Sequence, residues 1–211
     1  GMDRMGEIDC LSSIIKPNVG LITNISYAHS KNFKNLFGIA KAKSEIIDNI
    51  IENGSIVLNA DDKFYSYFKL KALRRKLKIV SFSKKNKSNI KLVKVKRQEN
   101  DSIIKINIYG KLRNFIIKKN VEIYADNILA SLAVMSNFLD LKIISNKFFF
   151  NYNVPEGRGD YKIVKINNKK IHLVDESYNS NPLSLEIALN NFNKMPSHSK
   201  RKIILLGDML E

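Results

Sequence analysis

The sequence predicts an α/β fold: a mostly parallel central sheet with helices, an antiparallel β subregion, and then the start of a second α/β domain. Three observations carry that expectation. Residues 19–83 alternate short apolar runs with stretches of helical period; residues 90–119 alternate apolar and polar side chains one by one; and "NVPEGRGD" (153–160), with a proline and two glycines, separates these from a fresh strand and helix pattern.

Taken in order, "VGLITNI" (19–25) reads as a buried strand. "GIAKAKSEIIDNIIENG" (38–54) reads as one helix whose apolar stripe is Ile39, Ile46, Ile47 and Ile50, closed by Gly54. "SIVLNADD" (55–62) is a second buried strand with a polar end, "YSYFKLKALRRK" (65–76) a helix, and "KIVSFS" (78–83) a third strand. Strand, helix, strand, helix, strand at this spacing is how a parallel sheet is written. "IKLVKVKR", "SIIKINIYG" and "LRNFIIKK" then read as antiparallel strands with one wet face, turning at "YGK". The helix "ADNILASLAVMSNFL" has Leu129, Leu132, Ala133 and Met135 among its apolar positions. Past the linker, "YKIVKI" and "KKIHLVDE" form a hairpin across Asn167–Asn168, "NPLSLEIALNNFNKM" a helix and "KIILLGDM" a strand. The domains expected are 1–153 and 154–211.

Bulk properties narrow the class. The chain has 211 residues, is 44% hydrophobic and can bury a sizeable core. No apolar run is long enough to span a membrane, and "GMDRMGEIDC" is not a signal peptide. The single cysteine, Cys10, excludes an internal disulfide and suits a reducing cytoplasm. The net charge of +16 suggests a polyanionic partner. However, the lysines are spread along the chain among isoleucines and asparagines, and no RNP-like aromatics, zinc finger or helix-turn-helix pattern accompanies them. No nucleic-acid partner is expected, although a basic nucleic-acid-binding α/β protein remains the alternative from another class. Anionic small substrates such as nucleotides also suit a basic surface.

In an open α/β sheet, ligands bind beyond the carboxyl ends of the strands. Three such ends here are rich in Asn, Asp or His: Asn24 to His29, Asn59 to Asp62, and Asp175 to Asn181. Each is followed by a helix, a pattern suited to a phosphate and metal site. Asp61 and Asp62 read as a turn and a helix cap, His172 as a strand residue facing solvent or packing, and His198 as loop.

The ordered motifs "ITNI..AH", "AKAKSEI", "LNADD", "DESYNSNP" and "LGDMLE" resemble the Mur ligases, and among them the branch that adds D-alanyl-D-alanine. The resemblance runs over nearly the whole chain and is least distinctive at 84–120. It implies the C-terminal portion of that family's central ATPase-type domain followed by a Rossmann-like C-terminal domain. It also implies a reaction: ATP phosphorylates a carboxylate of a UDP-N-acetylmuramoyl-tripeptide, D-alanyl-D-alanine attacks the acyl phosphate, and an amide, ADP and phosphate result. ATP and Mg2+ are the cofactors implied, and the enzyme is expected to be a cytoplasmic monomer. A sister amide ligase, adding diaminopimelate or lysine or extending folates with glutamate, is the alternative within the class.

Residue by residue, the resemblance makes His29 a magnesium ligand at the strand end that also carries Asn24 to the nucleotide rim. Lys43 matches the lysine that carries a carbamate in several members, which would add an anionic oxygen near the cations. Lys41, two residues away on a helix, points elsewhere. Asn127 matches the asparagine of the adenine-binding helix start. The family's usual upstream histidine and asparagine are replaced by Ile123 and Tyr124, and Tyr124 can stack on a base. Arg158 becomes a nucleotide contact between Gly157 and Gly159. Asp175 or Glu176 serves the ribose or a metal-bound water, and Tyr178, Asn179 and Asn181 shape the loop. No Gly-rich phosphate loop occurs in these residues. The chain is therefore expected to be a fragment, with its phosphate loop and an acidic metal ligand encoded upstream, and inactive by itself.

Overall fold

The computed structural model describes residues 2–26, 32–178, 182–195 and 201–208. Helix α1 (Glu7–Ile15) leads into β1 (Val19–Ile22); α2 (Leu36–Lys43) and α3 (Glu45–Asn49) connect it to β2 (Ser55–Asn59), and α4 (Tyr65–Arg74) connects β2 to β3 (Lys78–Ser83). β1, β2 and β3 pair in parallel, as their helical crossovers require. β4 (Ile90–Arg97), β5 (Asp101–Ile108) and β6 (Lys111–Lys118) extend the same six-stranded sheet in the order β1 to β6. The β5–β6 turn puts Tyr109 and Gly110 both at positive φ (48° and 88°), the two-residue geometry that matches strand twist.

β4–β6 are antiparallel as read, one further pairing joins them to β3, and one helix departs from the sequence reading. β4 is antiparallel to β5 but parallel to β3, through Phe82–Ile90 and Ser83–Lys91 alone. The change of direction therefore falls between β4 and β5, with Asn89 Oδ1 accepting the Ser81 N–H at 2.9 Å to hold the short β3–β4 connection. The long helix expected over 38–54 is broken at Ser44. There the hydroxyl donates to the Lys41 carbonyl (2.7 Å), and Lys71 Nζ donates to the Ser44 carbonyl (3.0 Å), competing for groups the helical ladder would use. Gly54 is needed for close approach: a Cβ there would stand 2.5 Å from Ile50 Cγ2 and 2.8 Å from the Asn18 carbonyl.

The sheet carries cores on both faces. One face packs Val80, Phe82, Ile104, Ile106, Phe115 and Ile117 beneath α5 (Ala125–Met135), whose Ile128, Leu129, Leu132 and Ala133 are all buried. The other face packs Ile56 and Leu58 beneath Ile47, Ile50, Phe68 and Ala72 of the α2–α4 layer. Fully burying one such large side chain is worth roughly 1.5–3 kcal/mol. A 3-10 stretch, Lys119–Tyr124, joins β6 to α5.

Beyond the linker, β7 (Asp160–Ile166) and β8 (Lys169–Asp175) form the expected hairpin, turning at Asn167 and Asn168 with φ 47° and 59°. Asparagine tolerates that left-handed backbone better than most residues. α6 (Pro182–Lys194) opens on proline, whose missing N–H costs nothing at a first helical position. The strand expected from "KIILLGDM" is not formed over 202–208. No described strand runs beside it to share a ladder, and Ile203 and Leu205 are exposed.

Candidate active site

The carboxyl ends of β1, β2 and β3 meet on one rim. β1 runs out at Ile22 into Thr23, Asn24 and Ile25, and three side chains from other elements hold that backbone. Asn59, at the end of β2, donates from Nδ2 to the Thr23 carbonyl at 3.0 Å. Asp62 accepts the Ile25 N–H on Oδ2 at 2.7 Å and the Phe64 N–H on Oδ1 at 2.8 Å. Lys43, the last residue of α2, donates from Nζ to the Asn24 carbonyl at 3.2 Å. Lys43 is half-buried where Lys41 is exposed, as a separation of two helical positions requires. Burial lowers the Lys43 pKa, and the negative charge of Asp62 opposes that shift.

The N-terminal end of α5 reaches the same rim. Asp126 pairs with Lys84, just past β3, at 2.5 Å. Asn127 is exposed and lines an open groove of about 550 Å³ with Leu21, Thr23, Ala130, Ser131, Val134 and Met135. Asp61 collects the backbone N–H groups of Lys84, Lys85 and Asn86, and these bonds hold its carboxyl below the usual range against partial burial.

A second constellation lies where the linker meets the exit of β8. Gly157 and Gly159 adopt φ 71° and 85°, backbone that glycine takes without strain. They zip the linker to β8: the Gly159 N–H donates to the Asp175 carbonyl (2.7 Å), and the Tyr178 N–H donates to the Gly157 carbonyl (3.0 Å). Arg158 stacks its guanidinium over the Tyr178 ring at 4.1 Å, and its carbonyl accepts the Tyr124 hydroxyl. Tyr124 in turn meets Tyr152 edge-on. Burial, followed by the charge of Glu176, pushes the Tyr124 phenol up to about 12.

The acids here are differentiated. Asp160 accepts the Gly157 N–H at 2.7 Å and has Lys162 Nζ 3.0 Å from its other oxygen, which lowers its pKa. Asp175 is lowered by hydrogen bonds from Ser177. Glu176 is raised, first by desolvation of its carboxylate against the linker and then by Asp160 and Asp175. Of the two acids whose roles sequence left open, Glu176 therefore holds a proton more readily.

Among the expected site residues, the structure brings Asn24 and Lys43 together, and Arg158, Asp175, Glu176 and Tyr178 together. It is the Asn24 carbonyl that meets Lys43. Asn127 sits on the β1 rim, three residues along the chain from Tyr124, which meets the linker at Arg158. His29, Asn179 and Asn181 lie outside the described residues, as does His198. Asp62, read as a turn or cap, makes the expected local turn and also reaches β1. Asp160, Lys162 and Tyr152 were not singled out from sequence, although Asp160 stands inside "GRGD". His172, exposed as expected, meets the Tyr161 hydroxyl across the hairpin.

The family model for the Mur ligase middle domain matches residues 1–135. The chain belongs to the Mur ligase family. A UDP-N-acetylmuramoyl-tripeptide–D-alanyl-D-alanine ligase of Rickettsia prowazekii is 32% identical over 214 residues, covering 100% of this chain and 46% of that protein. A MurF crystal structure from Acinetobacter baumannii superposes with a TM-score of 0.79 at 23% identity, covering 93% of this chain and 42% of that one. The MurF ligase of Thermotoga maritima, solved with ADP, gives 0.75 at 23% identity, over 92% of this chain and 43% of that one. The chain spans about half the length of the curated relatives it matches. Within the Mur ligase fold, the start of α5 touches both sets of polar groups, Asn127 lining the β1 groove and Tyr124 holding the linker at Arg158.

Proposed function

We propose that this chain is part of an ATP-dependent amide ligase that joins D-alanyl-D-alanine to a UDP-N-acetylmuramoyl-tripeptide through an acyl phosphate. The observation that carries it is the chain-long match to a ligase of that name, through both the middle-domain region and the residues beyond it. A phosphoryl group moves from ATP to the tripeptide carboxylate, the D-alanyl-D-alanine amine attacks the acyl carbon, and phosphate leaves as the amide forms. Residues 1–153 and 154–211 are read as parts of two domains that meet at the linker.

In this reading Lys43 and Asn24 face the phosphates at the β1 rim, while Asn127 lines the approach of the adenine. Arg158 holds nucleotide charge from the linker, braced by Tyr178. Asp175, with a lowered pKa, is the better acceptor for ribose hydroxyls, and Glu176 is the better reserve of a proton. Asn179 and Asn181 complete the loop. Positive groups preorganised around a transferring phosphoryl act chiefly on the transition state.

The described residues do not by themselves fit a magnesium ion. No group of three or more His, Cys, Asp or Glu side chains converges among them, and Lys43 points a cationic donor at the Asn24 carbonyl. Magnesium enters the proposal only through His29 and a carbamylated Lys43, on the resemblance, and no step is derived through it. No helix among the described residues is long and apolar enough to cross a membrane; the proposed setting is a cytoplasmic monomer.

The test supplies the full-length protein with ATP, a UDP-N-acetylmuramoyl-tripeptide and D-alanyl-D-alanine, reading ADP release and product mass. Product is expected only with all three. Turnover with diaminopimelate, lysine or glutamate as the amine, and none with D-alanyl-D-alanine, would transfer the assignment to a sister ligase.

A further inference from the structure

In "LNADDKF" the second aspartate has an ordinary reason to exist. Its Oδ1 accepts the N–H two residues on, at Phe64, and so closes a local turn. That turn uses one oxygen. The other oxygen reaches Ile25, 37 positions back in the chain, and takes its N–H at 2.7 Å. A turn-former has no need of that bond.

The same three-residue backbone is held twice more. Asn59 takes the Thr23 carbonyl, and the Asn24 carbonyl between them receives Lys43 Nζ. Asn59 Oδ1 also accepts the Asp61 N–H at 2.9 Å, so the two side chains belong to one folded turn after β2. The neighbouring Asp61 reaches the opposite way, to the backbone of 84–86 beyond β3. The adjacent aspartates thus divide the rim, Asp61 fixing the exit of β3 and Asp62 the exit of β1.

We propose that Asp62, together with Asn59, is a positioning residue: it fixes the backbone of Thr23–Ile25 and so holds the Asn24 carbonyl where the Lys43 side chain meets it. The structural half stands on these hydrogen bonds alone. Its consequence for turnover rests on the ligase reading of Lys43. Thr23 and Asn24 are exposed while Ile25 packs against two core clusters, so the side-chain ties set the geometry of the two residues between β1 and that anchor. Misplacing a group near a transferring phosphoryl by about 1 Å costs on the order of 100-fold in rate.

The experiment uses the full-length protein with Asp62→Ala, Asp62→Asn, Asp61→Asn and Lys43→Ala. Amide hydrogen exchange of a peptide spanning 19–26 reads the tie directly, and kcat and KM for ATP read its consequence. Asp62→Asn keeps the volume and one acceptor but turns an amide donor toward a backbone N–H. It therefore decides the case should Asp62→Ala fail to fold.

Asp62→Ala is expected to exchange faster at 23–26, as is Asp62→Asn unless its amide keeps its one oxygen on Ile25, in which case Phe64 exchanges faster instead. Where 23–26 loosens, kcat is expected to fall roughly 10- to 100-fold while the KM for ATP moves less than about 3-fold. Asp61→Asn is expected to loosen 84–86 and leave 23–26 protected. Unchanged exchange at Ile25 in Asp62→Ala, or at both Ile25 and Phe64 in Asp62→Asn, overturns the tie. Faster exchange with wild-type kcat, beside an inactive Lys43→Ala, overturns the positioning role alone. A fully active Lys43→Ala overturns the reading of Lys43 on which that role rests, while exchange at Ile25 still reports the tie.

Discussion

Lys43 shows what a single residue can be made to say. Two lysines stand in "AKAKSE", and their separation of about 200° around a helix means that one alone faces the rim. The structure buries half of Lys43, exposes Lys41, and directs the former at Asn24. Burial also moves Lys43 toward the neutral amine that a carbamate requires. In the full-length protein, Lys43→Ala should lose about 100-fold or more in turnover, and acetate should restore part of it by placing a carboxylate oxygen in the vacated space. Lys41→Ala should stay within about 2-fold, since it removes only a solvated charge. Steady-state rates of both variants with and without acetate check this; a dead Lys41→Ala beside an active Lys43→Ala would reverse the assignment. Asp62 was not legible in the same way. Periodicity tells which way a helical side chain points, but it carries no information about a hydrogen bond to a residue 37 positions away.

At the scale of elements, apolar period fixed the kinds of element and missed their interruptions. Of the stripe Ile39, Ile46, Ile47 and Ile50, all but Ile46 are buried and Ile46 is partly so, yet the helix that carries it breaks at Ser44. Beside the local bond from the Ser44 hydroxyl to the Lys41 carbonyl, the contribution is tertiary: Lys71 arrives from α4, donates to the Ser44 carbonyl and hydroxyl, and pairs with Asp48 at 2.6 Å. Nothing local to 38–54 encodes Lys71. The direction of β4 was hidden for a similar reason, since alternation reports a half-buried face and is silent on which neighbour is parallel. The break makes a prediction. Lys71→Met strips the buried Ser44 of both bonds from Lys71 and should cost about 1–3 kcal/mol. Ser44→Ala removes the hydroxyl but leaves the carbonyl its partner, and should cost about 1 kcal/mol. Thermal unfolding of the full-length protein checks the order. A Lys71→Met as stable as wild type would mean that the break is intrinsic to residues 41–46.

The whole molecule carries a charge of +16, and the question at that scale is whether the charge is a binding track or a general property of the surface. One local candidate is the outer face of β4–β6. Register places Lys96 beside Ile103 and Ile116, Lys94 beside Lys105 and Asn114, and Lys91 beside Asn107 and Leu112; Lys118 pairs with Asp101. That face has no aromatic side chain in these rows, and the one aromatic of β6, Phe115, is buried on the opposite face. Sheet readers of single strands depend on such rings for stacking. A track that neutralised 6–10 phosphates would lose roughly 10³–10⁵ in affinity between 50 and 200 mM salt. Scattered lysines give a shallower dependence and no preferred site. The combined variant Lys94→Gln, Lys96→Gln, Lys105→Gln should therefore elute earlier from immobilised heparin, because two exposed charges and one half-buried charge are gone. In the full-length protein it should ligate with unchanged kcat and KM, because none of the three is among the side chains that hold the β1 rim or the linker. Binding of DNA by the wild type with a steep salt slope, abolished in this variant, would make the face a nucleic-acid site. Loss of ligation without loss of fold would instead show that this face reaches the reacting groups.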